Sequence, residues 1–345
     1  MDKIFIAGGT GMLGAATAEA FADAGVQVVV SSRKDTDPIG DRLQAYSDLI
    51  SVARLDLAKR DQVQALFEAE SFDGVVFLAH THQFAETREQ ANAIYPMLLD
   101  SLELARQTDV KRFILGSSIA IYGDCGIPYG EDRTFAMRVG ESPTLVKFEI
   151  TVKRVLELLA LDYGQPFQRG MSVPPSDPPF TQHELEVITL RSPMMFGPGY
   201  YALGSPMGVG AHVAAGRIPM FKGHPGYAGL TVEQLWPIAC PIPASYVKNN
   251  GDCIKTAMLA DKLQNHIYNI SSNFDCNART QFDALVAAAP DCVDRMGISR
   301  DDLPDESHDI GFDSGLFAKD FGWSPKFDLE AALADYIGWL KDHPI

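Results

Sequence analysis

The N-terminal part of the chain alternates between short apolar runs and segments with helical periodicity. The apolar runs predict strands at residues 4–7, 28–30, 50–53, 74–79 and 112–116. The segments between them predict helices at residues 12–24, 60–69 and about 87–107. Apolar strands that alternate with helices are typical of a parallel sheet covered on both faces. The pattern therefore predicts an α/β fold with a doubly wound parallel sheet.

The pattern becomes less regular after residue 122. It predicts a long helix at about residues 144–161, a surface loop at 164–179 and a further strand at 186–191. Residues 197–243 contain many glycine, proline and aromatic residues and show little periodicity. Segments of this kind on a rigid scaffold often carry a ligand site. We therefore expect a smaller, ligand-binding region in the C-terminal half.

Composition and charge exclude a class of partners. The 345 residues are 46% hydrophobic and 21% charged, as in an ordinary globular protein. With 29 basic and 45 acidic side chains the formal charge is −16, and so acidic a surface repels phosphate backbones. We expect no nucleic-acid partner.

Neither a membrane span nor a metal site is predicted. No apolar run approaches the ~20 residues of a bilayer span, and the first strand follows almost directly on Met1. We therefore expect no membrane association and a cytoplasmic location. The five cysteines are scattered without a C-x-x-C pair, which argues against disulfides and zinc. His80 and His82 lack a recognisable third ligand, so we expect no metal.

The strongest chemical signal lies between the first predicted strand and the first helix. Glycines without Cβ atoms allow a tight turn and a close approach to a pyrophosphate, and the helix N-terminus offers free N–H groups. We expect a dinucleotide site here, formed by Gly8, Thr10, Gly11, Met12, Leu13 and Gly14. The predicted Rossmann-type dinucleotide-binding domain comprises mainly residues 1–190. The substrate-binding region comprises mainly residues 191–345, with segments that return to the sheet.

The end of the second predicted strand indicates which dinucleotide binds. A carboxylate there would bind the ribose hydroxyls of NAD and repel a 2′-phosphate. The strand ends instead in two hydroxyls and two cations, Ser31, Ser32, Arg33 and Lys34. We therefore predict NADP in preference to NAD. Asp56, after the third predicted strand, is placed to accept a hydrogen bond from the adenine amino group.

Further motifs are spread over nearly the whole chain. They are Asp56-Leu57, Asn92, Pro128, Glu131 and residues 75–79, 111–123, 190–193, 197–199, 268–270 and 321–325. Together with the glycine loop, they resemble the extended short-chain dehydrogenases/reductases, also called the NAD(P)-dependent epimerase/dehydratase family. The resemblance implies a Rossmann-type fold and an NAD(P)-dependent enzyme. It also implies a homodimer, whose four-helix contact would include the helix after Thr87 and the helix that carries Lys147.

The resemblance assigns roles to individual residues. It places the active-site hydroxyl at Ser118, where it would hydrogen-bond the reacting oxygen of the substrate, and the ribose-binding lysine at Lys147. Further cofactor contacts implied in this way are Leu57, Leu78, Ala79, His80 and Pro193.

The sequence departs from the family at the catalytic Tyr-x-x-x-Lys pair, in which the tyrosine is the general acid/base. Pro143 stands four residues before Lys147, and no tyrosine lies between Tyr129 and Tyr163. Three explanations remain open: another group carries the proton, the chemistry needs no such acid, or the protein binds NADP without turnover. The candidate groups are His80, His82, Tyr122, Tyr129, Glu141 and Lys147.

These observations predict an NADP(H)-dependent oxidoreductase acting on a carbinol or ketone carbon of a small molecule, with a non-standard proton donor. Arg191, Arg217 and Lys222 are the only cations between Arg169 and Lys248. Because a sugar diphosphate needs cations, this slightly favours a less charged carbonyl substrate. One alternative is a nucleotide-sugar epimerase or dehydratase with tightly bound NAD(P). The other is a non-catalytic NADP-binding sensor or scaffold.

Overall fold

A computed structural model describes most of the chain, and the chain forms two compact units. The described residues are 1–33, 43–80, 88–123, 128–133, 147–164, 185–199, 206–217, 244–275, 277–305 and 311–343. The first unit comprises Met1–Gly126, Glu131–Arg191 and Gly251–Tyr268. The second unit comprises Ile127–Gly130, Ser192–Asn250 and Asn269–Ile345.

A seven-stranded sheet forms the centre of the first unit. The strands along the chain are β1 (Lys3–Ala7), β2 (Gln27–Ser32), β3 (Ile50–Arg54), β4 (Gly74–Phe77), β5 (Arg112–Ser118), β6 (Glu186–Ser192), β7 (Met194–Phe196), β8 (Ala244–Tyr246) and β9 (Ile267–Asn269). The sheet order is β3-β2-β1-β4-β5-β6-β9, with parallel pairing from β3 to β5. The strand order reverses at β1, and α/β sheets bind ligands beside such a switch point.

Helices follow the strands, so the predicted doubly wound α/β fold is confirmed. They are α1 (Met12–Ala22), α2 (Arg60–Ala69), α3 (Arg88–Gln107), α4 (Lys147–Tyr163), α5 (Pro206–Ala214), α6 (Val247–Leu259), α7 (Ala278–Ala288), α8 (Val293–Met296), α9 (Gly315–Phe321) and α10 (Leu329–Asp342). A 3₁₀ turn, Ile119–Tyr122, follows β5. Within the described ranges, no helix has both the length and the apolar character that a bilayer span requires.

Aromatic packing closes one face of the sheet in the first unit. Phe5 of β1 packs against Phe67 of α2 and against Phe72, with ring centroids 5.7 and 5.5 Å apart. All three side chains are buried. The alternation of strand and helix along the chain thus becomes a layered core, which holds the ends of β1 and β4 in fixed positions.

A buried arginine ties β5 to the C-terminal end of α6. The Arg112 guanidinium donates to the Glu186 carboxylate at 2.6 Å. It also donates to the carbonyl oxygens of Ala257, Met258 and Ala260 at 2.7, 2.9 and 2.7 Å. Carbonyls in the last turn of a helix have no partner within it, so the guanidinium satisfies them.

The second unit has its own core. β7 and β8 form a parallel pair. The buried rings of Phe196, Tyr246 and Tyr336 pack together with residues of α5, α7 and α10. The sequence did not predict these elements individually.

Candidate active site

The glycine loop joins β1 to α1 in a conformation that only glycine permits. Gly8 has a φ of +83°, and a Cβ atom there would lie 2.8 Å from the Cα atom of Ala79. A Cβ atom on Gly14 would lie 2.6 Å from the Cα atom of Gly9. Backbone atoms cannot move away from such contacts cheaply. The loop therefore forms a cradle in which backbone lies directly against backbone.

The start of α1 suits an anion. Gly11 is the N-cap, its backbone is extended and no side chain of the described residues caps the helix there. The first turn contains no acidic residue. The first N–H groups of a helix lack intrahelical acceptors, and the helix dipole adds partial positive charge. The predicted residues Thr10, Met12 and Leu13 thus lie beside N–H groups that fit a pyrophosphate.

Ser31 connects the end of β2 to the glycine loop. Its hydroxyl oxygen accepts a hydrogen bond from the Gly8 N–H at 2.8 Å. Ser31 was noted in the sequence as a polar strand end, but its contact with Gly8 was not predicted. The parallel register of β1 on β2 could have indicated it, because the register brings the two strand ends together.

The predicted 2′-phosphate site lies at the same edge. Ser32 is buried, whereas Arg33 is exposed. The register of β2 on β3 pairs Ser32 with Arg54, so a second exposed arginine, which the sequence alone did not indicate, ends the neighbouring strand. Lys34 lies outside the described residues. Within residues 31–33, the end of β2 carries no carboxylate.

Asp56 opens the turn into α2. Its carboxylate accepts the Ala58 N–H at 3.1 Å, while its own N–H donates to the Gln62 side chain at 2.8 Å. Leu57 is buried in the core of the first unit. The hydrogen bond from Ala58 orients the Asp56 carboxylate through one of its oxygens. Because Asp56 is only half-buried, its second carboxylate oxygen remains a potential acceptor for an adenine amino group.

The end of β4 lies beside the glycine loop. The Leu78 N–H donates to the Ala7 carbonyl at 2.9 Å, and Ala79 forms the wall that excludes a side chain at Gly8. His80 follows and is half-buried. His82 lies outside the described residues.

Ser118 lies at the carboxyl end of β5, near the end of β4. In the register of these two strands, Phe77 of β4 pairs with Leu115 of β5. His80 follows Phe77 by three residues, and Ser118 follows Leu115 by three residues. The Ser118 hydroxyl oxygen accepts the Ala120 N–H at 3.1 Å and thereby caps the 3₁₀ turn. A hydroxyl has one proton and two acceptor sites, so this contact leaves its proton to donate.

Tyr122 lies in the interior of the first unit and not at its surface. The side chain is 0% exposed, and its hydroxyl oxygen accepts a hydrogen bond from Arg191 at 2.9 Å. The Arg191 guanidinium in turn donates two hydrogen bonds to the Glu157 carboxylate, at 3.0 and 2.8 Å. This placement argues against Tyr122 as the proton carrier. The sequence carried no signal for the contact, because the three residues are far apart along the chain.

Arg191 keeps its charge despite its burial. Removal from water acts to lower the pKa of the guanidinium, but the hydrogen bonds and negative charge of Glu157 outweigh it and raise the pKa. Arg217 donates to the carbonyl oxygens of Leu340 and His343 at the end of α10. Of the cations between Arg169 and Lys248, the two that the structure describes are therefore both engaged by protein groups.

The remaining predicted residues lie as follows. Lys147 is the first residue of α4. Pro193 is buried between β6 and β7, in the second unit. The backbone carbonyl of Tyr129 accepts a hydrogen bond from Asn269. Glu141 lies outside the described residues. Among the described residues, no group of three His, Cys, Asp or Glu side chains could hold a metal ion.

Comparison with known proteins identifies a family that matches this chain. The model of the NAD dependent epimerase/dehydratase family matches residues 4–218. A curated relative, UDP-glucose 4-epimerase of Mus musculus, is 24% identical over 162 residues. That alignment covers 39% of this chain and 47% of the mouse protein, so it spans about half the length of the relative.

Solved structures of similar fold cover nearly the whole chain. A UDP-glucose 4-epimerase from Stenotrophomonas maltophila, with NAD and formylated UDP-arabinopyranose, has a TM-score of 0.68 at 16% identity and covers 99% of this chain and 98% of its own. A dTDP-glucose 4,6-dehydratase from Bacillus anthracis, with NAD, has a TM-score of 0.66 at 14% identity, with coverages of 99% and 97%. A partial consensus L-threonine 3-dehydrogenase has a TM-score of 0.66 at 21% identity and covers 99% of both chains. These likenesses show the fold. Because the family model matches more than half of the sequence, the chain belongs to the NAD dependent epimerase/dehydratase family of enzymes.

Proposed function

We propose that the protein is an NADP(H)-dependent oxidoreductase that acts on a carbinol or ketone carbon of a small molecule. One observation carries the proposal: the glycine loop, His80 and Ser118 lie at the carboxyl ends of β1, β4 and β5, at the same edge of the sheet. A bound nicotinamide would supply or accept the hydride. Ser118 would hydrogen-bond the reacting oxygen of the substrate, and Lys147 would bind the cofactor ribose.

The test is a substrate screen with a serine variant. Purified protein is assayed with NADPH against ketones and aldehydes, and with NADP⁺ against the matching alcohols. For a substrate that turns over, Ser118→Ala should lower kcat by about 100-fold or more. Ser51→Ala, which changes an exposed serine of β3, is the control and should leave kcat unchanged. Unchanged turnover in Ser118→Ala would remove the proposed role of the hydroxyl.

The preference for NADP rests on the end of β2. Within residues 31–33 no carboxylate is present to repel a 2′-phosphate, and Arg33 and Arg54 are exposed at the ends of adjacent strands. Titration of cofactor-free protein with NADPH and NADH, followed by nicotinamide fluorescence, should give tighter binding of NADPH. Arg33→Ala should weaken only NADPH, whereas Lys262→Ala, with the same change of net charge, should weaken neither. Equal affinities in the unaltered protein would refute the preference.

We propose that a non-standard group carries the proton. The burial of Tyr122 favours the histidines that follow β4, His80 and His82. His80→Gln and His82→Gln should be compared in the pH dependence of kcat for the substrate found. The variant that removes the proton carrier should lose an ionisation from that profile as well as rate. Profiles of unchanged shape in both variants would refute the assignment.

A nucleotide-sugar epimerase or dehydratase is the second candidate. The family match, the curated mouse relative and the solved structures with sugar nucleotides support it. Such an enzyme should copurify with oxidised cofactor and should convert UDP-glucose to UDP-galactose or dehydrate dTDP-glucose. Product formation without net consumption of NADPH would favour this candidate over the first. Tight NADPH binding without turnover in either screen would favour the third candidate, a cofactor-binding sensor or scaffold.

We also propose that the protein is a cytoplasmic homodimer, with α3 and α4 in the dimer contact. Leu158 of α4 supports this, because its large apolar side chain is 69% exposed in the single chain. A small-molecule substrate would be its partner in the reaction, with no nucleic acid or membrane involved.

A further inference from the structure

A buried ion pair lies close behind the candidate catalytic serine. Arg191 of β6 and Glu157 of α4 are 1% and 3% exposed, and two hydrogen bonds join them. The third contact of this group is the Tyr122 hydroxyl, and the guanidinium carbon of Arg191 lies 5.1 Å from the centre of the tyrosine ring. Three elements of the first unit thus meet in one polar cluster.

Stability does not account for such a cluster. Moving two charges out of water costs more than their attraction commonly returns, and apolar residues of similar size often serve stability equally well. Buried charges are better explained where they fix one arrangement of the surrounding elements. We therefore expect this cluster to fix the relative positions of the elements around it.

The cluster holds the turn that Ser118 caps. Tyr122 is the last residue of the 3₁₀ turn, and the Ser118 hydroxyl caps its first residues. Glu157 reaches Tyr122 through Arg191, while Arg154, one turn earlier in α4, donates to the backbone carbonyl of Ile121 at 2.8 Å. Helix α4 thus holds the turn at two points. It reaches the Tyr122 hydroxyl indirectly, through Arg191, and it binds the backbone carbonyl of Ile121 directly, through Arg154.

The same helix begins at Lys147. Position 147 lies seven residues before Arg154, so both positions lie on one face of α4. Gly123, directly after the turn, packs against this face, and a Cβ atom there would lie 3.2 Å from the side chain of Ile150. Any slip of the turn along α4 would therefore change the position of Ser118 relative to position 147.

We propose that Glu157, Arg191 and Tyr122 form a positioning cluster that fixes the Ser118 turn against α4. None of the three contacts the substrate in this proposal; they act through Ser118. The inference rests on the proposed function, in which Ser118 is the candidate catalytic residue.

The first test measures local order by hydrogen exchange with peptide resolution. Tyr122→Phe removes one oxygen and keeps the ion pair, and Glu157→Gln removes the charge at nearly constant shape. Each should speed exchange by about tenfold in the peptide that contains the Ala120 and Gly123 amides, because those amides depend on the turn. The control is Glu186→Gln, the same chemical change at the Arg112 pair. Exchange in the turn that rises no more in Tyr122→Phe than in Glu186→Gln would overturn the inference.

The second test reports the position of residue 118 and needs no substrate. Ser118→Cys is alkylated with iodoacetamide over a range of pH, and the modified peptide is quantified. Adding Tyr122→Phe should raise the rate at residue 118 about threefold and shift its pH profile, because a loosened turn changes the surroundings of the thiol. Adding Glu186→Gln should change neither. A merely structural role would leave the profile unmoved, and that result would also overturn the inference.

Cys253 provides an internal reference for the alkylation. It is 0% exposed, and burial raises the pKa of its thiol well above the usual value. Its slow reaction should stay the same in every variant that remains folded. Neither test requires turnover, so the two proposals can fail separately. A protein that is inactive with all substrates would refute the proposed function. The hydrogen-exchange and alkylation results would still show whether the positioning cluster holds the turn.

Discussion

Asp73 fastens the beginning of β1 to the turn before β4. Its carboxylate accepts the N–H groups of Asp2 and Lys3, at 2.6 and 3.2 Å, and the Lys111 ammonium lies 3.2 Å away. Burial acts to raise the pKa of this carboxyl, but the two backbone hydrogen bonds and Lys111 outweigh it, and the pKa is lowered. The folded protein therefore stabilises the charged form of Asp73.

The lowered pKa predicts how stability depends on pH. Because the folded pKa lies below the unfolded one, the contribution of Asp73 is present above the unfolded pKa and is lost as pH falls through the folded pKa. Asp73→Asn should lower the free energy of unfolding at pH 7 by about 1 kcal/mol. The difference from the unaltered protein should shrink below about pH 4. Urea unfolding at several pH values measures it.

Asp283→Asn serves as the control for this prediction. Hydrogen bonds from Arg300 also lower the pKa of the Asp283 carboxyl, but this pair is exposed. Exposed pairs contribute little to stability, so the variant should change the unfolding free energy only slightly. A loss in Asp73→Asn that stayed constant with pH would show that packing, and not charge, explains the effect.

Single residues were predictable where the backbone dictates the residue type. Gly8, Gly11 and Gly14 follow from the chain's need to turn and pack closely, and Ser118 follows from its motif at a strand end. The contacts of Tyr122 and Arg191 were not predictable, because they join residues 69 positions apart. Arg191 is one of the few cations that the sequence offers to a diphosphate, and the structure pairs it with the buried Glu157 instead.

At the scale of elements, the glycine loop and α1 form one closely packed structural unit. The loop leaves β1 at Gly8, and the Cα atom of Gly9 would lie only 2.6 Å from a Cβ atom added at Gly14. The helix start can face a pyrophosphate only while this close contact is kept. The conformation of the loop and the binding of an anion at the helix start therefore both depend on the glycine at position 14.

Gly14→Ala should separate the loop from α1. We expect NADPH binding to weaken by about tenfold or more, because the helix N-terminus would move away from the phosphates. Fluorescence titration measures the affinity. Gly338→Ala is the matched control, since a Cβ atom there in α10 meets nothing within 4 Å. That substitution should leave binding unchanged and slightly stabilise the helix. Equal affinities in both variants would contradict the coupling.

Strands β1 to β5 and helices α1 to α3 were predictable because continuous apolar runs alternate there with longer helical segments. Helix α2 was predicted at the residues where it occurs. Helix α1 ends two residues earlier than predicted, because residues 23–25 form a turn in which Gly25 has a φ of +77°. β7, β8 and β9 have three residues each, too few for a hydrophobic period to be recognised.

At the scale of the whole molecule, the surface of α4 and the acidic charge have consequences for assembly. Leu158 exposes a large apolar side chain on a chain whose formal charge is −16. Net charge of this size opposes unspecific association, so self-association needs a defined apolar contact.

Leu158→Glu should shift the proposed homodimer to a monomer, since it places a charge in the apolar contact. Sedimentation velocity of both proteins at equal concentration measures the change. Val293→Glu, at another exposed apolar position, is the control and should leave the assembly unchanged. A monomeric unaltered protein, or a dimer that tolerates Leu158→Glu, would contradict the proposed contact.

The cap that Arg112 forms on α6 sets an order for biosynthesis. The carbonyl oxygens that Arg112 needs belong to residues 257–260, which leave the ribosome about 145 residues after it. β9, the edge strand of the same sheet, is synthesised later still. Until then Arg112 lacks its three carbonyl acceptors, and the sheet has an uncovered edge, which invites pairing with other chains. The N-terminal half therefore cannot complete its sheet or the contacts of Arg112 before residues 257–269 have been translated.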